Sequence, residues 1–202
     1  MKDNNITTFI NYLEPRHQLL WKDVIDTKFF NKLKSIINYK DFNSYQLNEI
    51  LTGIERNLDT EKIAIFANPI FSFSQMKELR LSFEDGIHIK YVKLFAKRQF
   101  ISCQMKQIRL GFCANLRISQ IMLYLDPHFS SDQMRIIRLA FESGLKFSQV
   151  LPYAKPEYDS KQMEQIFLGF INGLTYKQVS SYAHINIPFR QMEKIRLALQ
   201  IA

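Results

Sequence analysis

The side chains able to do chemistry on a substrate are few and scattered. His17, His88, His128 and His184 lie far apart, and none has a carboxylate at the spacing of a metal site or an acid–base pair. Cys103 and Cys113 form no CxxC pair, so neither a disulfide framework, a zinc module nor a thioredoxin-type site is indicated. Thiol catalysis would need a histidine beside one of them. Gly-rich phosphate loops, HExxH and GxSxG patterns do not occur in the sequence. The reading is therefore a non-enzymatic protein with no metal and no cofactor, and the unpaired thiols point to reducing cytoplasm.

What remains is charge, and its placement depends on a repeat. The chain has 202 residues, 47% of them apolar and 23% charged, with 27 Lys and Arg against 19 Asp and Glu for a net charge of +8. That fits one domain or a short repeat array with ample core material. The opening 30 residues hold no long apolar run and no 18-residue uncharged stretch occurs, so neither a signal peptide nor a membrane span is predicted. Gln75-Met76, Gln104-Met105, Gln133-Met134, Gln162-Met163 and Gln191-Met192 recur every 29 residues, and Gln46-Leu47 lies one period earlier. Units starting at Phe42, Phe71, Phe100, Phe129 and Tyr158, and a half-unit at Ile187, superimpose without a gap.

Within each unit the residue types mark two helices. The sixteenth position reads Asn57, Gly86, Asn115, Gly144 and Gly173, as a left-handed helix stop requires. Ser44, Ser102, Ser131 and Ser160 at the third position are candidate N-caps. The twelfth is always small (Gly53, Ser82, Gly111, Ala140, Gly169, Ala198), which suits close approach of backbones. Ile63, Val92, Ile121, Val150 and Val179, each followed three residues later by Phe66, Phe95, Tyr124, Tyr153 or Tyr182, give a shorter second helix. Pro152 should shorten or bend one copy. The glutamine of the anchor should tie the helix start to a neighbouring loop, and the methionines and second-helix aromatics should be core. Residues 1–41 lie outside the repeat but keep helical spacing at Phe29, Phe30, Leu33, Ile36 and Ile37, after an amphipathic stretch holding Trp21. The predicted architecture is all-α: two-helix repeats over 42–202 stacked as a short α-solenoid, with a helical N-terminal cap over 1–41.

On that frame the charge gathers. Residues 71–128 hold nine Lys and Arg and four Asp and Glu, whereas residues 42–70 hold two and four. If neighbouring first helices pack about 8–10 Å apart, Arg80, Arg109, Arg138 and Arg196 form a ladder with Lys77, Lys106 and Arg135 beside it, broken where Phe167 replaces a cation. Such a ridge suits a phosphate backbone or an acidic protein surface. The competing use is plain helix pairing, since Arg80–Glu84 and Arg138–Glu142 stand at i, i+4.

The stretch from Gln133 to Leu174 resembles tandem QMxxIRL-G-F/L-xxGL-xxxx-V-xx-YA-x-P repeats of uncharacterised proteins of Gram-positive bacterial mobile elements and phages. The resemblance covers residues 42–202 and implies genomic context more than mechanism. Small proteins of that context often serve as accessory or anti-defence factors, including inhibitors of CRISPR nucleases. The expected function is thus macromolecular binding through the basic ridge, with a nucleic acid or nucleoprotein nuclease as the first partner class. A protein–protein scaffold, or a homodimer through the half-repeat, is the alternative.

Overall fold

The computed structural model describes residues 4–201, so residues 1–3 of the expected cap and residue 202 of the expected array lie outside the described residues. Among the described residues the protein is all-α, with no strand. It forms two compact units divided after Ser102.

The first unit opens with α1 (Asn4–Tyr12), α2 (Pro15–Trp21), α3 (Thr27–Ile36) and a 3-10 turn at Tyr39–Asp41. Then come α4 (Ser44–Glu55), α5 (Thr60–Phe66), α6 (Phe73–Glu84) and α7 (Ile89–Phe95). The long helix α4 packs on α5 and α6, and α3 covers α4 and α5. The early helices are anchored by polar bonds as well as by Phe9, Trp21, Phe30 and Leu33 in the core. Trp21 Nε1 donates to Asn48 Oδ1 at 2.9 Å, and Ser44 Oγ accepts the Glu14 N–H at 2.8 Å and lies 2.6 Å from His17 Nδ1.

The second unit holds α8 (Ser102–Cys113), α9 (Ile118–Met122), α10 (Ser131–Glu142), α11 (Phe147–Val150), α12 (Ser160–Ile171), α13 (Tyr176–Ser180) and α14 (Phe189–Ile201). Here α10 packs on α12 and α12 on α14, while α9, α11 and α13 lie against the long helices. The second helix of each sequence unit is real but short, and α11 stops at Val150, two residues before Pro152. Proline has no N–H to extend the ladder.

Local signals landed where the backbone needs them, with one shift of register. Asn57 and Asn115 hold φ of 58° and 56°, and Gly86, Gly144 and Gly173 take the same left-handed region. The caps, however, are Asn43, Ser130 and Asp159, one residue before the predicted Ser44, Ser131 and Ser160, while Ser102 is the first residue of α8 and Ser72 caps α6. A capping oxygen must precede the first free amides, and Ser131 and Ser160 already stand inside their helices. Ser44 is likewise the first helical residue, and its hydroxyl serves Glu14 and His17 instead.

The glutamine of each anchor closes a capping box and reaches further. In Gln46, Gln75, Gln133 and Gln162 the Oε1 accepts the cap residue's N–H. Their Nε2 donates to two carbonyls of the following loop: Pro69 and Phe71, Arg98 and Phe100, Pro156 and Tyr158, Ile185 and Ile187. Gln104 donates in the same way to Pro127 and Phe129. Gln191 departs from the pattern: it is exposed, and Pro188 at its cap position has no N–H to offer. Gln133→Leu should cost about 2 kcal/mol in urea unfolding, because it strands an amide and two carbonyls at once. Gln133→Glu should be no milder, since it sets a carboxylate against those carbonyl oxygens.

Buried His17 gives a pH prediction. Its pKa is lowered, first by burial and then by the Arg16 charge, against the opposing pull of Glu14 and Glu49. His17 Nδ1 lies 2.6 Å from Ser44 Oγ, and a neutral ring lets the serine hydroxyl donate to that nitrogen. An unfolded histidine titrates near 6.5, so the unfolded chain binds more protons just below that pH. Stability is therefore full above about 6.5 and falls as pH drops through the lower folded pKa. His17→Asn, whose oxygen replaces Nδ1 as acceptor, should flatten that dependence in thermal unfolding at pH 5 to 7.

Candidate binding surface

The predicted ridge is the first place to look, and its arginines turn inward. Arg80 on α6 is buried; its Nε donates to Glu49 Oε2 on α4 at 2.9 Å and its Nη1 to Glu84. In the second unit Arg138 Nε donates to Gln107 Oε1 at 3.1 Å and its Nη1 to Glu142. Arg196, also buried, donates from Nε to Gln165 Oε1 at 3.0 Å and from Nη1 to Gln200 Oε1 at 2.8 Å. Each guanidinium uses one arm along its own helix and one across to the preceding long helix. Arg109 is half-buried, Arg135 sits 3.7 Å from Asp132, and Lys77 and Lys106 are exposed.

Phe167 explains the interruption in the ladder. The cross-helix partner of each arginine stands 31 residues earlier, as Glu49, Gln107 and Gln165 do. Counting 31 back from Phe167 reaches Ile136, which is buried. Cation and polar partner were exchanged together for two apolar side chains, as expected of a packing site that must be satisfied on both sides.

The other chemically capable residues stay apart. In an exposed turn the His128 backbone N–H donates to Asp126 Oδ1 at 3.0 Å and its Nδ1 lies 2.6 Å from the same oxygen; the backbone bond first, and the ring second, lower the aspartate pKa. His88 caps α7 through Lys90 N–H, and Cys103 and Cys113 are exposed on α8. Among the described residues no group of three His, Cys, Asp or Glu is placed to hold a metal. No helix there is long and apolar enough to cross a membrane. The second-helix aromatics are core, as expected: Phe66, Phe95, Tyr124, Tyr153 and Tyr182 are buried. Burial alone raises the Tyr153 hydroxyl and pushes that of Tyr182 up to about 12 against a small opposing effect of Arg196.

No family profile, curated protein or solved structure matches the chain. The internal repeat supplies the comparison instead, because equivalent positions show what the fold itself demands.

By that measure the short helices of the second unit stand out. Ile118 and Met122 on α9, Phe147 and Leu151 at α11 and Tyr176 on α13 are 40% to 53% exposed. The equivalents in the first repeat are Thr60 and Ala64, so the fold does not need large apolar groups there. Residues 115–126, 144–155 and 173–184 contain Arg117, Lys146, Lys155 and Lys177, all exposed, against one carboxylate, Asp126. Of the equivalent stretches in the first unit, 57–68 carries Asp59, Glu61 and Lys62, and 86–97 carries Lys90, Lys93 and Lys97 with no carboxylate. Sequence reasoning missed this surface because apolar residues at helical spacing read as core.

Proposed function

We propose that the protein is a non-catalytic binding scaffold, a short α-solenoid of two-helix repeats that holds a partner protein. The recurrent glutamine bonds and cross-helix arginine bonds support the stacked-repeat reading, since they tie each long helix to its successor at a fixed offset. The observation that carries the choice of partner is the fate of the ladder. Arg80, Arg138 and Arg196 each spend one donor across to the preceding long helix and one along their own, which draws them away from a phosphate backbone. Large apolar side chains are exposed instead on helices whose equivalents do without them. An accessory role in a mobile element or phage, including inhibition of a defence nuclease by protein contact, accords with the resemblance of the repeat.

A nucleic-acid or nucleoprotein target is the second reading, favoured by the net charge of +8 and by exposed Lys77 and Lys106. Affinity capture from a Gram-positive bacterial lysate separates the two. A protein retained after nuclease digestion is the expected result; recovery only of nuclease-sensitive material would sink the scaffold reading. Charge reversal must use Lys77→Glu with Lys106→Glu, since reversing Arg80, Arg109 and Arg138 would test folding rather than binding.

A further inference from the structure

The short helices of the second unit form more than scattered exposed residues. A groove of about 490 Å³ lies between the starts of α9 and α11, lined by Arg117, Ser119, Gln120, Leu145, Lys146 and Phe147. A second of about 490 Å³ lies between α11 and α13, lined by Lys146, Ser148, Gln149 and Tyr176. Lys146 stands in both. The groove floors are fixed by a second set of glutamines: Gln120, Gln149 and Gln178 accept the N–H of Arg117, Lys146 and Thr175 at 2.8 to 2.9 Å. Phe147 and Tyr176 are held by Phe141 and Phe170, with ring centroids 6.1 Å and 6.3 Å apart.

Resting on the scaffold reading, we propose that this face docks an acidic segment of a partner protein that carries apolar anchors. The charge argument is direct: the three segments present Arg117, Lys146, Lys155 and Lys177 against Asp126 alone, and grooves where Arg117 and Lys146 stand beside Phe147 and Tyr176 select an acidic chain with apolar side chains. A single-stranded nucleic acid fits less well, because it binds on free aromatic faces. Three of the five exposed apolar groups are aliphatic, and both rings have one side against a neighbouring ring.

The test is selection of a displayed random-peptide library on the full chain, followed by affinity measurement of the enriched peptides. Labelled oligo-dT and a DNA duplex are measured alongside. Enriched peptides should carry Asp and Glu beside large apolar residues. Their affinity should fall at least tenfold in a Lys146→Glu, Lys177→Glu variant and hold in a Lys28→Glu, Lys97→Glu control, both folded by circular dichroism. Phe147→Ser should weaken binding without altering its salt dependence. Peptides lacking acidic excess, or binding the Lys146→Glu, Lys177→Glu variant unimpaired, overturn the site while leaving the scaffold reading in place. Oligonucleotides that bind where peptides do not, and are lost in that variant, overturn the occupant. No enriched peptide at all, with a nuclease-resistant partner still captured from lysate, overturns this surface alone.

Discussion

Arg80→Ala should lower the unfolding free energy by about 3–5 kcal/mol, the range expected when one member of a buried ion pair is removed. The Arg80 and Glu49 side chains are each 9% exposed, and their contact at 2.9 Å joins α6 to α4. Losing the guanidinium leaves the Glu49 carboxylate buried without its cation, and the cost lies there more than in the lost attraction. Glu49→Gln is the informative partner experiment. Gln107 and Gln165 already fill that role opposite Arg138 and Arg196, so the amide should be accepted at about 1 kcal/mol or less, as one neutral acceptor replaces a charged one. A denaturation series in which Arg80→Ala and Glu49→Gln cost the same would show the pair to be a solvated surface contact. Because the site is shielded, the difference should persist in 1 M salt, where exposed pairs are screened within about 3 Å.

Gly111→Ala should cost about 1 kcal/mol, at the lower end for overpacking, despite the better helix propensity of alanine. A Cβ on Gly111 would lie 2.0 Å from the Tyr124 hydroxyl oxygen, so the buried ring must shift, and the pair Ala140 and Tyr153 at the equivalent positions is a buried arrangement of the same two side chains. The same hydroxyl has no hydrogen-bond partner. Tyr124→Phe should therefore be neutral or stabilising by about 1 kcal/mol, since an unsatisfied buried hydroxyl carries its desolvation cost uncompensated. It should also suppress Gly111→Ala. Both arrangements exist in the chain at the equivalent positions, Ser82 opposite Phe95 and Ala140 opposite Tyr153. Additive losses in the double variant, read from urea midpoints, would place the strain elsewhere.

The period, the helix stops and the structural use of Gln46, Gln75, Gln133 and Gln162 were legible in the sequence because each rests on a residue type with a narrow conformational or bonding use. Asn57 and Gly86 announce a left-handed backbone, and an amide that both donates and accepts suits a bridge between loops. The cap register was off by one because Ser130-Ser131 and Asp159-Ser160 offer two capping oxygens in succession. The ridge was harder. A cation three or four residues from a carboxylate looks the same on a helix wheel whether it faces water or the next helix. The deciding signal was in the sequence nonetheless, at an offset of 31: Glu49 with Arg80, Gln107 with Arg138, Gln165 with Arg196 and Ile136 with Phe167. Exposure of Ile118, Met122 and Leu151 had no such signal, since the shortness of α9 and α11 decides which side of them meets water.

The glutamine and arginine ties bear on how the chain finds its fold. The glutamine and arginine ties span 23 to 31 residues, from Gln46 to Pro69 up to Arg80 to Glu49. Loop closure at that separation is entropically mild and grows only with the logarithm of length. Each tie can form without waiting for distant segments to meet, which favours fast folding from local contacts. It also lets one stretch open while its neighbour stays closed. Amide exchange along the long helices should then be graded from copy to copy.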